Sequence, residues 1–133
     1  MLRLLKKTET VDLTIGGTTF TLRPQSHGAA RALRLRNTKR GRVDEETMAA
    51  DFWKTHLVGW KGLADVDGNE VPFPAAVEGE TPAQAAVRHL VVIDVVDALP
   101  DDVISLLTAK IREPLEAAHR ALGNGTPSSA NAS

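Results

Sequence analysis

Thr10-Val11-Asp12-Leu13-Thr14-Ile15-Gly16-Gly17-Thr18-Thr19-Phe20-Thr21-Leu22 decides how the rest of the chain is read. Val11, Leu13 and Ile15 alternate with polar residues, and Phe20 and Leu22 resume the alternation after Gly16-Gly17. Successive side chains of a strand point to opposite faces, so this period of two leaves one apolar face to bury. The glycine pair supplies the positive φ that a tight turn requires. The stretch predicts a β-hairpin over 10–22.

Downstream the patterning changes to that of helices. Ala29, Ala30, Ala32, Leu33 and Leu35, interleaved with Arg31, Arg34 and Arg36, predict a helix over about 25–37, since Ala, Leu and Arg all favour helix. Asn37 to Arg42, with Gly41, reads as a basic loop. Asp44 is suited to cap a second helix, with Glu45 and Glu46 favoured in its first turn. Met48, Ala49, Phe52, Trp53, Leu57 and Trp60 recur at three-to-four spacing, which extends that helix over 44–59. Residues 61–74 predict a short extended segment turning at Asp67-Gly68, with Leu63, Val66, Val71 and Phe73 as its apolar positions.

Thr81-Pro82 marks a third helix start, with Thr81 as cap and Pro82 in the first helical position. Ala86, Val87, Leu90, Val91, Asp94, Val95 and Ala98 are its expected face over 82–98. The β-branched residues of 91–96 leave a buried strand as the alternative there. Pro100 resets the chain, and a fourth helix is expected over 101–122, with Ile104, Leu107, Ile111, Leu115, Ala118 and Leu122 as its apolar stripe. Pro114 should bend or break it. The tail 123–133 holds little to bury and is expected to be disordered. The whole predicts an α+β fold, mostly helical, in one globular domain over 1–122.

Composition bounds the function. A hydrophobic fraction of 42% is that of a globular protein, and 133 residues suffice for one core. Absence of cysteine excludes disulfides, thiolate metal sites and cysteine nucleophiles. The opening Met-Leu-Arg-Leu-Leu-Lys-Lys does not read as a signal peptide, and Leu90 to Ile93, the longest apolar run, is far below the ~20 residues of a membrane span. Net charge is −1, yet residues 1–43 hold ten Lys/Arg against two carboxylates, while 44–133 hold six against fifteen. Either the halves neutralise each other, or the basic half meets an acidic partner, a nucleic acid or a neighbouring copy.

No enzymatic constellation appears. His27, His56, His89 and His119 fall in no ligand spacing, and each is expected on a helix surface. Asp65-Val66-Asp67-Gly68 fails the calcium-loop pattern, because Gly stands fourth and Ala76 holds the twelfth position. Ile15-Gly16-Gly17-Thr18 lacks the Gly-Lys-Ser/Thr ending of a phosphate loop. Ser26 and Ser105 have no nucleophile-elbow context, and Asp101-Asp102 reads as a helix start. No catalytic residue, metal or cofactor is expected. The basic run Arg23, Arg31, Arg34, Arg36, Lys39, Arg40 and Arg42 suits phosphates, but residues 21–51 hold no aromatic to stack on bases.

Phe52-Trp53-Lys54-Thr55-His56-Leu57-Val58-Gly59-Trp60-Lys61-Gly62-Leu63-Ala64-Asp65-Val66-Asp67-Gly68-Asn69-Glu70-Val71-Pro72-Phe73 resembles the small tail assembly chaperones of long-tailed bacteriophages and prophages. Val58, Trp60, Gly62, Leu63, Asp65, Gly68, Val71, Pro72 and Phe73 carry the resemblance, and Leu99-Pro100 matches a later Leu-Pro break between helices. It spans about residues 45–112 and rests on fold-forming rather than catalytic residues. The resemblance implies a factor in the cytoplasm of a bacterial host that binds the tape-measure protein and tail-tube subunits. A structural virion component of the neck or tail completion is the alternative, and nucleic-acid binding through 23–42 a further one. Trp53 and Trp60, seven apart, would share one helical face, either both as core or with one as an exposed anchor. Expected contact residues are Trp53, Trp60 and Phe73, with Arg31, Arg34, Lys39, Arg40 and Arg42 as a second patch.

Overall fold

The computed structural model describes residues 4–6 and 8–124, with side chains through Ala117. The hairpin forms where the alternation places it: β1 (Val11–Ile15) pairs antiparallel with β2 (Thr18–Leu22), Leu13 opposite Phe20. Gly16 and Gly17 both take positive φ at the turn. Four helices follow: α1 (His27–Arg36), α2 (Glu45–His56), α3 (Pro82–Ala98) and α4 (Asp101–Asn124). The fold is α+β and mostly helical, as the patterning predicts.

The caps are local and follow from residue type. Ser26, Asp44 and Thr81 each accept a hydrogen bond from the backbone N–H three residues on, and Gln84 completes a reciprocal capping box with Thr81. The segment 91–96 lies within α3, not in a strand. α4 continues through Pro114 to Asn124. In the turn before that proline, the Ile111 carbonyl accepts the backbone N–H of Gln25 at 2.8 Å, tying the helix to the chain leaving β2. Residues 125–133 of the expected disordered tail lie outside the described residues.

Three expectations need correction. First, α2 ends at His56, and residues expected in its last turn form β5 (Leu57–Lys61), which pairs antiparallel with β2 to complete a three-stranded sheet, β1-β2-β5. The cause of the misreading is a β-bulge. Phe20 faces Trp60, Thr21 faces Gly59, and Leu22 faces Leu57, so Val58 is the extra residue. A bulge places two residues opposite one, and buried Leu57 and Trp60 therefore stand three apart, which mimics a helical spacing. Second, Asn37–Arg42 is not a plain loop: β3 (Thr38–Lys39) and β4 (Arg42–Val43) make a small hairpin around Arg40-Gly41. Third, the expected face of α3 is mostly turned outward. Val92 and Val96 are buried and Val95 packs against the core, whereas Ala86, Val87, Leu90, Val91, Asp94 and Ala98 are exposed.

The core joins Phe20, Leu22, Leu57 and Trp60 of the sheet to Trp53 of α2, Val92 and Val96 of α3, and Leu107 and Ile111 of α4. Full burial of one such aliphatic or Phe side chain contributes about 1.5–3 kcal/mol relative to exposure. The segment after β5 folds back onto this core. Trp60 donates its indole N–H to the Val71 carbonyl at 2.7 Å, and Phe73 meets the Trp60 ring edge-to-face at 4.7 Å. Its turn is held by Asp65, whose Oδ1 accepts the N–H of Asp67 and of Asn69, while Gly68 takes positive φ.

Candidate docking groove and basic ridge

α3 is apolar on more than one side, and one layer of neighbours cannot cover it. Val87, Leu90, Val91, Val92, Ile93, Val95 and Val96 occupy seven of its seventeen positions. The inward set packs on α2 and the core. The outward set stays open, with Val87 63% and Leu90 61% exposed. Residues three and four apart on a helix share a face, so Val87, Leu90 and Val91 form one stripe.

Beside this stripe, the α2–α3 seam opens into two adjoining hollows of about 290 Å³ and about 430 Å³. Leu57, Val58, Phe73 and Val92 form the apolar wall of the first, and Ala50, Ala86, Leu90 and Ile93 that of the second. Lys54 and His89 line both, which makes the hollows one groove with a basic saddle. Asp51 in its lining and Glu80 beside it are already engaged. Asp51 accepts Arg36 at 3.0 and 3.2 Å and the Asn37 amide at 2.8 Å, and Glu80 accepts Arg88 at 2.8 and 3.0 Å. Partial burial alone would raise the Asp51 carboxyl, but these hydrogen bonds and the Arg36 charge hold it below its ordinary value. Burial, aided by the Arg88 and Lys54 charges, holds His89 below the usual histidine value. Lys54 is in no ion pair among the described residues. Such a groove suits an apolar stripe flanked by carboxylates.

The expected contact residues divide. Trp53 and Trp60 are both buried, one on α2 and one on β5, so they do not share a helical face and neither presents its ring as an anchor. Phe73 is half-buried, packed on Trp60 and forming part of the groove wall. Arg31, Arg34, Lys39, Arg40 and Arg42 are all exposed. The structure brings these five onto one ridge, α1 and the β3–β4 hairpin, where Thr38 joins the two by bonding the Arg34 carbonyl at 2.7 Å. Arg36 stands apart, bound to Asp51.

His56 corrects the expectation of four surface histidines. It is fully buried; its Nδ1–H donates to the Arg23 carbonyl at 2.9 Å, and its own carbonyl accepts the Arg23 N–H at 2.8 Å. Burial holds it below the ordinary histidine value, and the nearby Arg23 charge acts in the same direction. This is a structural latch between the end of α2 and the end of β2. The side chain of His119 lies outside the described residues. From sequence, Lys54 carries no expected role, His89 is expected only on a helix surface, and Val87, Leu90 and Val91 are expected to be core. The available signal was an excess of aliphatic residues in 87–96, too many for one buried face.

Compared with known protein families, characterised proteins and solved structures, the chain matches none. Among the described residues, no helix is long and apolar enough to cross a membrane.

Proposed function

We propose that this chain is a non-enzymatic assembly factor that holds a partner helix, acting as a tail assembly chaperone for a tape-measure protein and its tail subunits in the cytoplasm of a bacterial host. The carrying observation is the aliphatic stripe Val87-Leu90-Val91, left open beside a groove whose lining carboxylate, Asp51, is engaged by Arg36 and Asn37. Contiguous apolar surface of this kind is retained where a partner covers it. The resemblance of residues 52–73 supports the tail-assembly setting, since tape-measure proteins are long and helical. The buried tryptophans support a role for that segment in forming the fold rather than touching the partner.

Co-expression tests the reading. A tape-measure protein from the same genome should remain soluble and co-purify with this chain, and the double variant Val87→Ser/Leu90→Ser should lose it. A tape measure equally soluble without the chain would sink the chaperone role. Recovery of the chain in purified virions at stoichiometric amounts would favour a neck or tail-completion component instead.

A further inference from the structure

The basic ridge has a counterpart on the same chain. No carboxylate occurs between Leu13 and Val43, and no Lys or Arg between His89 and Ala109. The first stretch carries the exposed Arg31, Arg34, Lys39, Arg40 and Arg42, and the second the exposed Asp94, Asp97, Asp101 and Asp102. Among the described residues none of these nine side chains is in an ion pair, and Arg36–Asp51 is the one ion pair joining residues 1–43 to the rest. Among the described residues, contact between the two halves therefore neutralises a single pair of charges.

Each patch also holds an exposed leucine. Leu35, 68% exposed, lies one turn from Arg31, and Leu106, 51% exposed, lies one turn from Asp102. An apolar side chain amid arginines has nothing to meet on a phosphate backbone, but it does on a protein surface with a matching leucine. Arg40 adds an independent mark. It sits at φ 53° beside Gly41 at φ 75°, a turn that favours Asn-Gly, and a long side chain there costs about 1 kcal/mol. Arginine held against local preference at an exposed tip points to a contact made by that tip. A net charge of −1 leaves no general repulsion between copies.

We infer that a second copy of this chain docks its acidic corner, Asp94 to Asp102 with Leu106, on the basic ridge, Arg31 to Arg42 with Leu35. The two patches differ, so the contact is heterologous and joins copies head to tail, into a ring or an open row according to the rotation it imposes. This stands apart from the tape-measure reading and needs no third protein.

Sedimentation velocity of the full chain at low and high salt tests it, because exposed charges interact over about 30 Å at 0.01 M salt and about 3 Å at 1 M. Species larger than a monomer should grow with concentration at low salt and vanish at high salt. Arg31→Glu/Arg34→Glu and Asp94→Lys/Asp97→Lys should each be monomeric alone, and an equimolar mixture should associate again. A monomer under every condition overturns the inference, as does association indifferent to salt or to both pairs of changes. Assembly appearing only with added duplex DNA overturns it in favour of nucleic acid. Should a variant fail to fold, carbodiimide cross-linking of the unaltered chain decides. Bonds between Lys39 of one copy and Asp94, Asp97 or Asp101 of another are expected, and inter-chain links confined to other sites overturn the contact.

Discussion

α3 and α4 are the two longest helices, separated only by Leu99-Pro100, yet they end up in different states of completion. α4 is amphipathic: Leu107 and Ile111 are fully buried, while Arg112, Glu113 and Glu116 face outward. Among the described residues its apolar stripe packs within the chain, and Leu106 is its one large apolar side chain that stands exposed. α3 sends Val92 and Val96 into the same core and leaves Val87, Leu90 and Val91 uncovered. A helix with more aliphatic surface than its own fold can cover is the place to look for a partner. Their surroundings differ as well: where α4 meets the sheet, Ile111 is tied to Gln25 and the neighbouring His56 latch joins α2 to β2, while the α3 side opens on Lys54 and His89.

The largest expected effect separates the two helices directly. Leu107→Ala should cost about 3 kcal/mol in urea unfolding, since it leaves a cavity in a closed core, whereas Leu90→Ala should stay within about 0.5 kcal/mol. Equal losses at the two sites would break the distinction. Next comes the closure of the sheet. Gly62 has φ +77°, and a Cβ there would lie 2.8 Å from the Gly17 carbonyl oxygen. Gly62→Ala should therefore cost about 2 kcal/mol, from the strained backbone and the displaced β1–β2 turn together.

The two inner histidines sharpen the comparison further. Both titrate below the ordinary value of 6.5. Above that value both are neutral in either state and contribute nothing to the pH slope. As pH falls through 6.5 the unfolded chain takes up protons that the folded chain refuses, so stability declines. Unfolding measured at about pH 7.5 and about pH 5.5 should show that decline, and His56→Gln should flatten it more than His89→Gln, because His56 is the more deeply enclosed. A larger flattening from His89 would place the more enclosed histidine on α3. The smallest effect lies at the ridge. Arg40→Asn should raise stability by about 0.5–1 kcal/mol, since Asn tolerates the left-handed turn, and should weaken self-association at low salt.

Much of the fold was legible because its signals are local. Alternation around Gly16-Gly17 marks a hairpin wherever it occurs, and Asp44 and Thr81 cap helices by bonding residues three away. The Leu107–Ile111 stripe was legible because a polar remainder contrasts with it. β5 was not, since the bulge at Val58 gives its buried residues helical spacing, and neither was the inner face of α3, where aliphatic residues on two sides erase the contrast that periodicity needs. Of the contact residues, the basic five were legible as charge without a local partner. The tryptophans misled, because Trp53 and Trp60 lie seven apart on two different elements.

By itself, then, the sequence determined the hairpin, the helix starts, the aliphatic core of α4 and the separation of charge along the chain. These depend on residue type and short spacing alone. Only the tertiary structure decided that Trp60 lies on a strand, that His56 is interior, and that α3 turns Val92 inward and Leu90 out. Each of those outcomes depends on which distant residue arrives to pack: Phe20 across the sheet, Arg23 behind His56, and Leu107 and Ile111 beneath α3.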